Sequence, residues 1–290
     1  MTLAVFSAGA LLNRVHADIT LYGTAFSRSL VDPNENFSKL YNINPLNGAA
    51  SLIGDIGYRL VSGIAFDSAG NLYGIGETHA NPGGGPPPFG DLVLLTINRT
   101  TGQGTVVGGP LGVTAQFQDI AFRNSDGQLY AYASGDLYTI NKISGAAALV
   151  GPTGNPEIGI GLAFSNSDSL YSASWNHLQG INPGTGAGAN LLQLNYPTGG
   201  TPNVTGMDYE YVSSPTGVLW AAVHTDDDDY SPAYLATIDV GTGLITKIGD
   251  SIQGLTGLAA IPEPSAFGAL AGVGLIAIGM MNRVRRRVVA

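Results

Sequence analysis

Four consecutive aspartates, Asp226, Asp227, Asp228 and Asp229, follow closely on His224. Clustered carboxylates suit Ca2+, a hard cation that takes several oxygen ligands. It is the one ion these residues would serve, and no other cofactor is indicated. The run lacks the Gly-containing loop and distal Glu of an EF-hand, so its plainer reading is a solvated acidic loop. Asp119 and Asp208 are a second pair of candidates. Each replaces a small residue in a recurring phrase, and a polar departure from a repeat consensus marks either a site or a water-lined position. A third set pairs Trp175 with His177 and Trp220 with His224. An exposed Trp can stack on a sugar ring, whereas Trp220 occupies a repeated position that reads as core. Beyond residue 17 the histidines are His79, His177 and His224, and no HExxH, GxSxG or Walker A pattern occurs. With no cysteine, thiol catalysis, disulfides and thiolate metal sites are excluded.

The elements that must position these residues are legible as a repeat. A small residue, two apolar residues and an aromatic are followed by a turn and Leu-Tyr. The copies begin at Gly63-Ile64-Ala65-Phe66, Asp119-Ile120-Ala121-Phe122, Gly161-Leu162-Ala163-Phe164 and Gly206-Met207-Asp208-Tyr209. Their partners are Leu72-Tyr73, Leu129-Tyr130, Leu170-Tyr171 and Leu219-Trp220. A second phrase, Leu-x-x-Ile-Asn/Asp with a Gly-containing turn, centres on Ile43, Ile97, Ile140, Ile181 and Ile238. Gly and Asn supply the positive φ of tight hairpins, and the flanking Ile, Val, Leu and Tyr favour strands.

Each repeat therefore predicts four strands. The markers are 54, 43, 41 and 57 residues apart. The shorter spacings match β-propeller blades, and the longer ones carry surface insertions around 81–90, 195–203 and 226–229. Gly257-Leu258-Ala259-Ala260 is a first-strand phrase with no successor, and Thr20-Leu21-Tyr22-Gly23 a second-strand phrase with no predecessor. Joined, they complete a fifth unit from both ends of the chain. The expectation is an all-β, five-bladed β-propeller over residues 18–260, closed by N- and C-terminal strands, which removes exposed sheet edges. An open solenoid or twisted sandwich is the competing arrangement.

Composition agrees with many short strands joined by Gly-rich turns: 42 Gly and 16 Pro accompany 44% hydrophobic residues. Between Asp18 and Pro264, seven basic residues stand against all 21 acidic ones. Such a body repels phosphate backbones, which argues against nucleic acid as a partner.

The two ends differ from the body. Residues 1–17, MTLAVFSAGALLNRVHA, hold an apolar run before Val15-His16-Ala17, a small-x-small cleavage pattern, and read as a signal peptide that lacks a basic residue before its apolar run. At the other end, Pro262-Glu263-Pro264 precedes the 18 uncharged residues Ser265 to Asn282, then Arg283, Arg285, Arg286 and Arg287. A helix over 265–282 is long enough to span a hydrocarbon core of about 30 Å. The arginines would hold its end on the cytoplasmic side. In its three parts and their order, the segment 261–290 resembles the PEP-CTERM sorting signal of bacterial envelope proteins. That resemblance implies export, transient membrane insertion and processing near Pro262-Glu263-Pro264 by an exosortase-type enzyme. Partners then include that enzyme, the membrane, and envelope proteins or exopolysaccharide. The expected function is that of an exported, non-enzymatic binding or matrix protein. The alternative is a propeller lyase or hydrolase with a carboxylate or calcium site at the channel mouth.

Overall fold

Every repeat phrase becomes one antiparallel meander in the computed structural model of the chain. The structure describes residues 19–26, 37–78, 90–154, 161–197, 199, 202–210, 217–226 and 231–261. Unit A comprises β4 (Ile64–Phe66), β5 (Leu72–Glu77), β6 (Leu92–Ile97) and β7 (Gly104–Pro110). Unit B is β8 (Phe117–Phe122), β9 (Leu129–Ala133), β10 (Asp136–Ile140) and β11 (Ala147–Pro152). Unit C is β12 (Gly161–Phe164), β13 (Leu170–Ala173), β14 (His177–Ile181) and β15 (Gly188–Gln193). Unit D is β16 (Asn203–Glu210), β17 (Val218–His224), β18 (Ala233–Ile238) and β19 (Ile245–Asp250). Unit E joins the two ends of the body, with β20 (Leu255–Ala260) beside β1 (Leu21–Phe26), then β2 (Phe37–Ile43) and β3 (Ala50–Arg59).

The fold is all-β, with no helix among the described residues. Hydrogen bonds divide it into four sheets, none closed on itself. Units B, C and D are separate four-stranded sheets, whereas units E and A share an eight-stranded one through a single residue pair, Arg59 opposite Glu77. The pairing of β20 with β1, Leu21 opposite Ala260, ties the N-terminal strand to the last one.

Neighbouring units are joined by side chains. The first strands pack in sequence, β4 against β8, β8 against β12, β12 against β16, β16 against β20, and β20 against β4. The two halves of the first phrase meet across these junctions. Tyr73 of unit A lies edge-on to Phe122 of unit B, with ring centroids 5.4 Å apart. Tyr130 meets Phe164 at 5.3 Å, and Tyr22 of unit E meets Phe66 of unit A at 5.5 Å. Tyr171 and Tyr209 are tilted at 6.3 Å. Edge-to-face pairs add about 0.5–1.5 kcal/mol each beyond the area they bury. Between units D and E the phrase trades volumes. Trp220 takes the place of the Tyr and Ala260 that of the aromatic, and both are buried in one cluster. Such conservation of total volume keeps a core packed.

A second set of contacts lies further out. Each turn between third and fourth strands opens on an Asn or Asp whose side chain caps it. Asn98 Oδ1 accepts from Thr100 N at 2.8 Å, and Asn44, Asn141, Asn182 and Asp239 act alike. The turn closes on a left-handed glycine, namely Gly48, Gly102, Gly145, Gly186 or Gly243. That glycine presses on the outermost strand of the preceding unit: Gly102 on Gly54, Gly145 on Val107 and Gly109, Gly186 on Gly151, Gly243 on Gln193 and Gly48 on Gly249. The outer ladder is bulged in all five units, which bends the strand and re-aims its backbone.

Gly70 and Gly102 separate conformation from contact. Their φ values are 79° and 82°. A Cβ on Gly70 meets nothing within 4 Å, whereas one on Gly102 falls 2.7 Å from the Gly54 backbone. Gly70→Ala should cost about 1–2 kcal/mol for the left-handed backbone alone. Gly102→Ala should cost about 2–5 kcal/mol, because overpacking adds to strain. Denaturant unfolding of the two variants measures the difference, and equal losses would show that the turn-to-strand contact contributes nothing.

Candidate functional site

The first position of the first-strand phrase is Gly63, Asp119, Gly161, Gly206 and Gly257 in units A to E. Four units place a glycine there and unit B a carboxylate. A Cβ on Gly63 would lie 2.6 Å from Asp119 Cα and 2.8 Å from its Oδ1. Asp119 is fully buried. Its Oδ1 accepts from Ile120 N at 2.9 Å, and its Oδ2 accepts from Leu162 N at 2.8 Å and Met207 N at 3.2 Å. One side chain from unit B thus serves the edge-strand N–H groups of units C and D. Asp208, two positions along β16, accepts from Tyr209 N and from Ala260 N of unit E, both at 2.8 Å.

Burial pushes the Asp119 carboxyl well above its ordinary range. The three N–H donors oppose the shift, and the nearby Asp208 charge adds to it. Burial likewise raises Asp208, to about 7, against the donors Ala260 and Tyr209. The structure brings these two sequence candidates near one another, each accepting backbone N–H groups from a neighbouring unit.

The remaining candidates scatter. Asp226 is exposed at the start of the β17–β18 connection. Asp227, Asp228 and Asp229 lie outside the described residues. So do the signal segment 1–17, the expected membrane helix 265–282, the sorting residues Pro262, Glu263 and Pro264, and the arginines Arg283, Arg285, Arg286 and Arg287. Among the described residues no group of three or more His, Asp or Glu side chains is placed to hold a metal ion. Trp220 is buried, and its Nε1 donates to Glu210 Oε2 at 3.1 Å. His224 is buried too, and its Nε2 lies 2.8 Å from the Leu255 carbonyl, which can only accept. Trp175 is 46% exposed on the β13–β14 connection.

A cavity of about 450 Å3 opens between units C and D, at the opposite end of the meanders from Trp175 and Asp226. Tyr171, Leu178, Leu192 and Val240 supply apolar wall, Ser169 and Asn182 are polar, and Asp168 lines one end while its carboxylate accepts from Asn124 N of unit B. The sequence reading did not single these residues out. The available signal was comparative: across the row in which Tyr73, Tyr130, Trp220 and Tyr22 face Thr96, Thr139, Thr237 and Asn42, Tyr171 faces Gly180.

Comparison with known proteins bears on the fold. One chain in the crystal structure of a nidogen/laminin complex superposes with a TM-score of 0.51, covering 84% of this chain and 98% of that one at 11% identity. A protein of unknown function from Bacteroides caccae gives a TM-score of 0.48, with 84% and 99% coverage at 14% identity. At such identity the first likeness is one of β-rich fold alone. No family model and no curated protein matches the sequence.

The raised Asp208 carboxyl sets the direction of a pH effect. The folded protein holds this proton up to about pH 7 and the unfolded chain releases it near 3.8, so the group costs stability as pH rises between about 4 and 7. Asp126, held at about 2 by Arg123, acts oppositely and only below that window. Melting temperatures of the wild type should fall from pH 4.5 to 7.5, and Asp208→Asn should flatten the slope. An unchanged slope would remove Asp208 as its source. Asp119→Ala should cost about 2–5 kcal/mol by leaving the Leu162 and Met207 N–H groups buried without an acceptor. Denaturant unfolding at fixed pH measures that loss.

Proposed function

We propose that the chain is an exported envelope protein whose body is a non-enzymatic binding module built as a five-bladed β-propeller and sorted by a PEP-CTERM tail. The blade count is supported by five repeats, five meanders and first strands that pack around to their starting point. The observation that carries the address is the tripartite C-terminal segment: Pro262-Glu263-Pro264, 18 uncharged residues and a terminal arginine cluster. Lipid accepts such a helix because it satisfies its own backbone, and the arginines orient it. An exosortase-type enzyme and the membrane are the partners this address requires. Exopolysaccharide or other envelope components are the material the released body meets.

The binding reading draws on how the carboxylates are used. Asp119 and Asp208 accept backbone N–H groups on neighbouring units, and general acid–base catalysis needs a group within reach of a substrate proton. A strongly acidic body favours neutral or cationic partners.

The address is tested by fractionating cells that express the full chain. The body should reach the surface or the medium, shortened at both ends by mass spectrometry. Replacing Arg283, Arg285, Arg286 and Arg287 by Gln should leave unprocessed precursor. Full-length protein freely soluble in the cytoplasm would overturn the proposal.

A further inference from the structure

The five units act as internal controls for one another, and unit C departs from its siblings beside Tyr171. The departure removes side chains. Beside the second-strand aromatic, the sibling units carry Thr96 with Thr105, Thr139 with Ala148, Thr237 with Thr246, and Asn42 with Ser51. Unit C carries Gly180 with Ala189. Nothing in the backbone demands this glycine, since its φ is not positive and a Cβ there would meet only the Ala189 carbonyl oxygen at 3.6 Å. The flank of Tyr171 is thereby left uncovered, and the cavity of about 450 Å3 occupies the space.

The polar residues beside this gap come from the same unit. Ser169 lines the cavity. Asp168, which stands where units A and B carry the left-handed Gly70 and Gly127, turns its carboxylate to unit B, where Oδ1 accepts from Asn124 N at 2.9 Å. Across the cavity, Asn182 accepts from Gly184 N through its Oδ1, which leaves the amide nitrogen to donate.

An aromatic and aliphatic wall beside a hydroxyl and an amide matches a sugar ring. A pyranose ring offers an apolar C–H face and a rim of hydroxyls that both donate and accept. Ligand sites combine an apolar wall with a few placed polar groups, in cavities of this size. The acidic body disfavours uronic acids and other anionic sugars. From these observations we infer that the cavity between units C and D binds a neutral sugar unit of a glycan, with Tyr171 against the ring and Ser169 and Asn182 on its hydroxyls. The inference rests on the reading of the protein as a binding module and names that module's ligand class and site.

The test restores the sibling residue. Gly180→Thr fills the cavity with the side chain that three other units tolerate. Full-length wild type and the variant are titrated by calorimetry with cellobiose, maltose, mannobiose and chitobiose, with digalacturonate as the anionic control. The wild type should bind at least one neutral disaccharide and not digalacturonate. The variant should bind it about tenfold or more weakly, a loss of roughly 1.4 kcal/mol, with a melting temperature equal to or above that of the wild type. Absence of binding by the wild type, preference for digalacturonate, or undiminished binding by Gly180→Thr would overturn the site. Undiminished binding would leave the module's binding role standing on another surface, whereas failure of export in the fractionation experiment would remove the role itself.

Discussion

A strand at the edge of a sheet presents N–H groups with no neighbour to receive them, and a buried one must find acceptors elsewhere. In this protein the first strand of every unit is such an edge, and the first strands pack on one another. Asp119 resolves the problem for two units at once by accepting from Leu162 and Met207, and Asp208 extends the arrangement to Ala260. The glycines follow from the close approach of the first strands: a Cβ at Gly63 would collide with Asp119, one at Gly161 with Met207, one at Gly206 with the Thr256 carbonyl and one at Gly257 with the Thr24 hydroxyl. Burial, complete at Asp119 and partial at Asp208, raises the proton affinity of both carboxyls.

Around that centre the units hold one another by a contact repeated with variations. Tyr on the second strand meets an aromatic on the next unit's first strand, and Trp220 with Ala260 keeps the volume where the residue types change. The outer glycine turns repeat the logic, each seated on the bulged strand of the unit before it. A four-stranded meander cannot bury both its faces alone, so stability resides in these junctions as it does in other repeat architectures. β20 and β1 make one unit from distant parts of the chain, and the contacts of that unit with A and D join the first repeat to the last.

The residues with the most obvious chemistry are the ones this architecture consumes. Asp119, Asp208, Trp220 and His224 are spent on backbone groups or buried packing. The cavity arises instead where the repeat relaxes its own rules, at Gly180. Evolution of a site within a repeat fold needs one unit to give up packing or ease that its siblings keep, and that exchange is visible at this junction.

The sequence alone determined the repeat, its four-strand units, their turns and the pairing of the chain's two ends. The first three rest on local rules, namely alternation of apolar residues, Asn and Gly in turns, and phrases whose halves are close in the chain; the last rests on matching a first-strand phrase without a successor to a second-strand phrase without a predecessor. Only the tertiary structure decided what Asp119 and Asp208 do, because their partners lie 43, 88 and 52 residues away and a side chain's donors are not written beside it. The same holds for the cavity. Tyr171, Gly180, Asn182 and Val240 come together through strand register and the seating of unit D on unit C. That is a property of faces brought together by packing, which no stretch of neighbouring residues encodes.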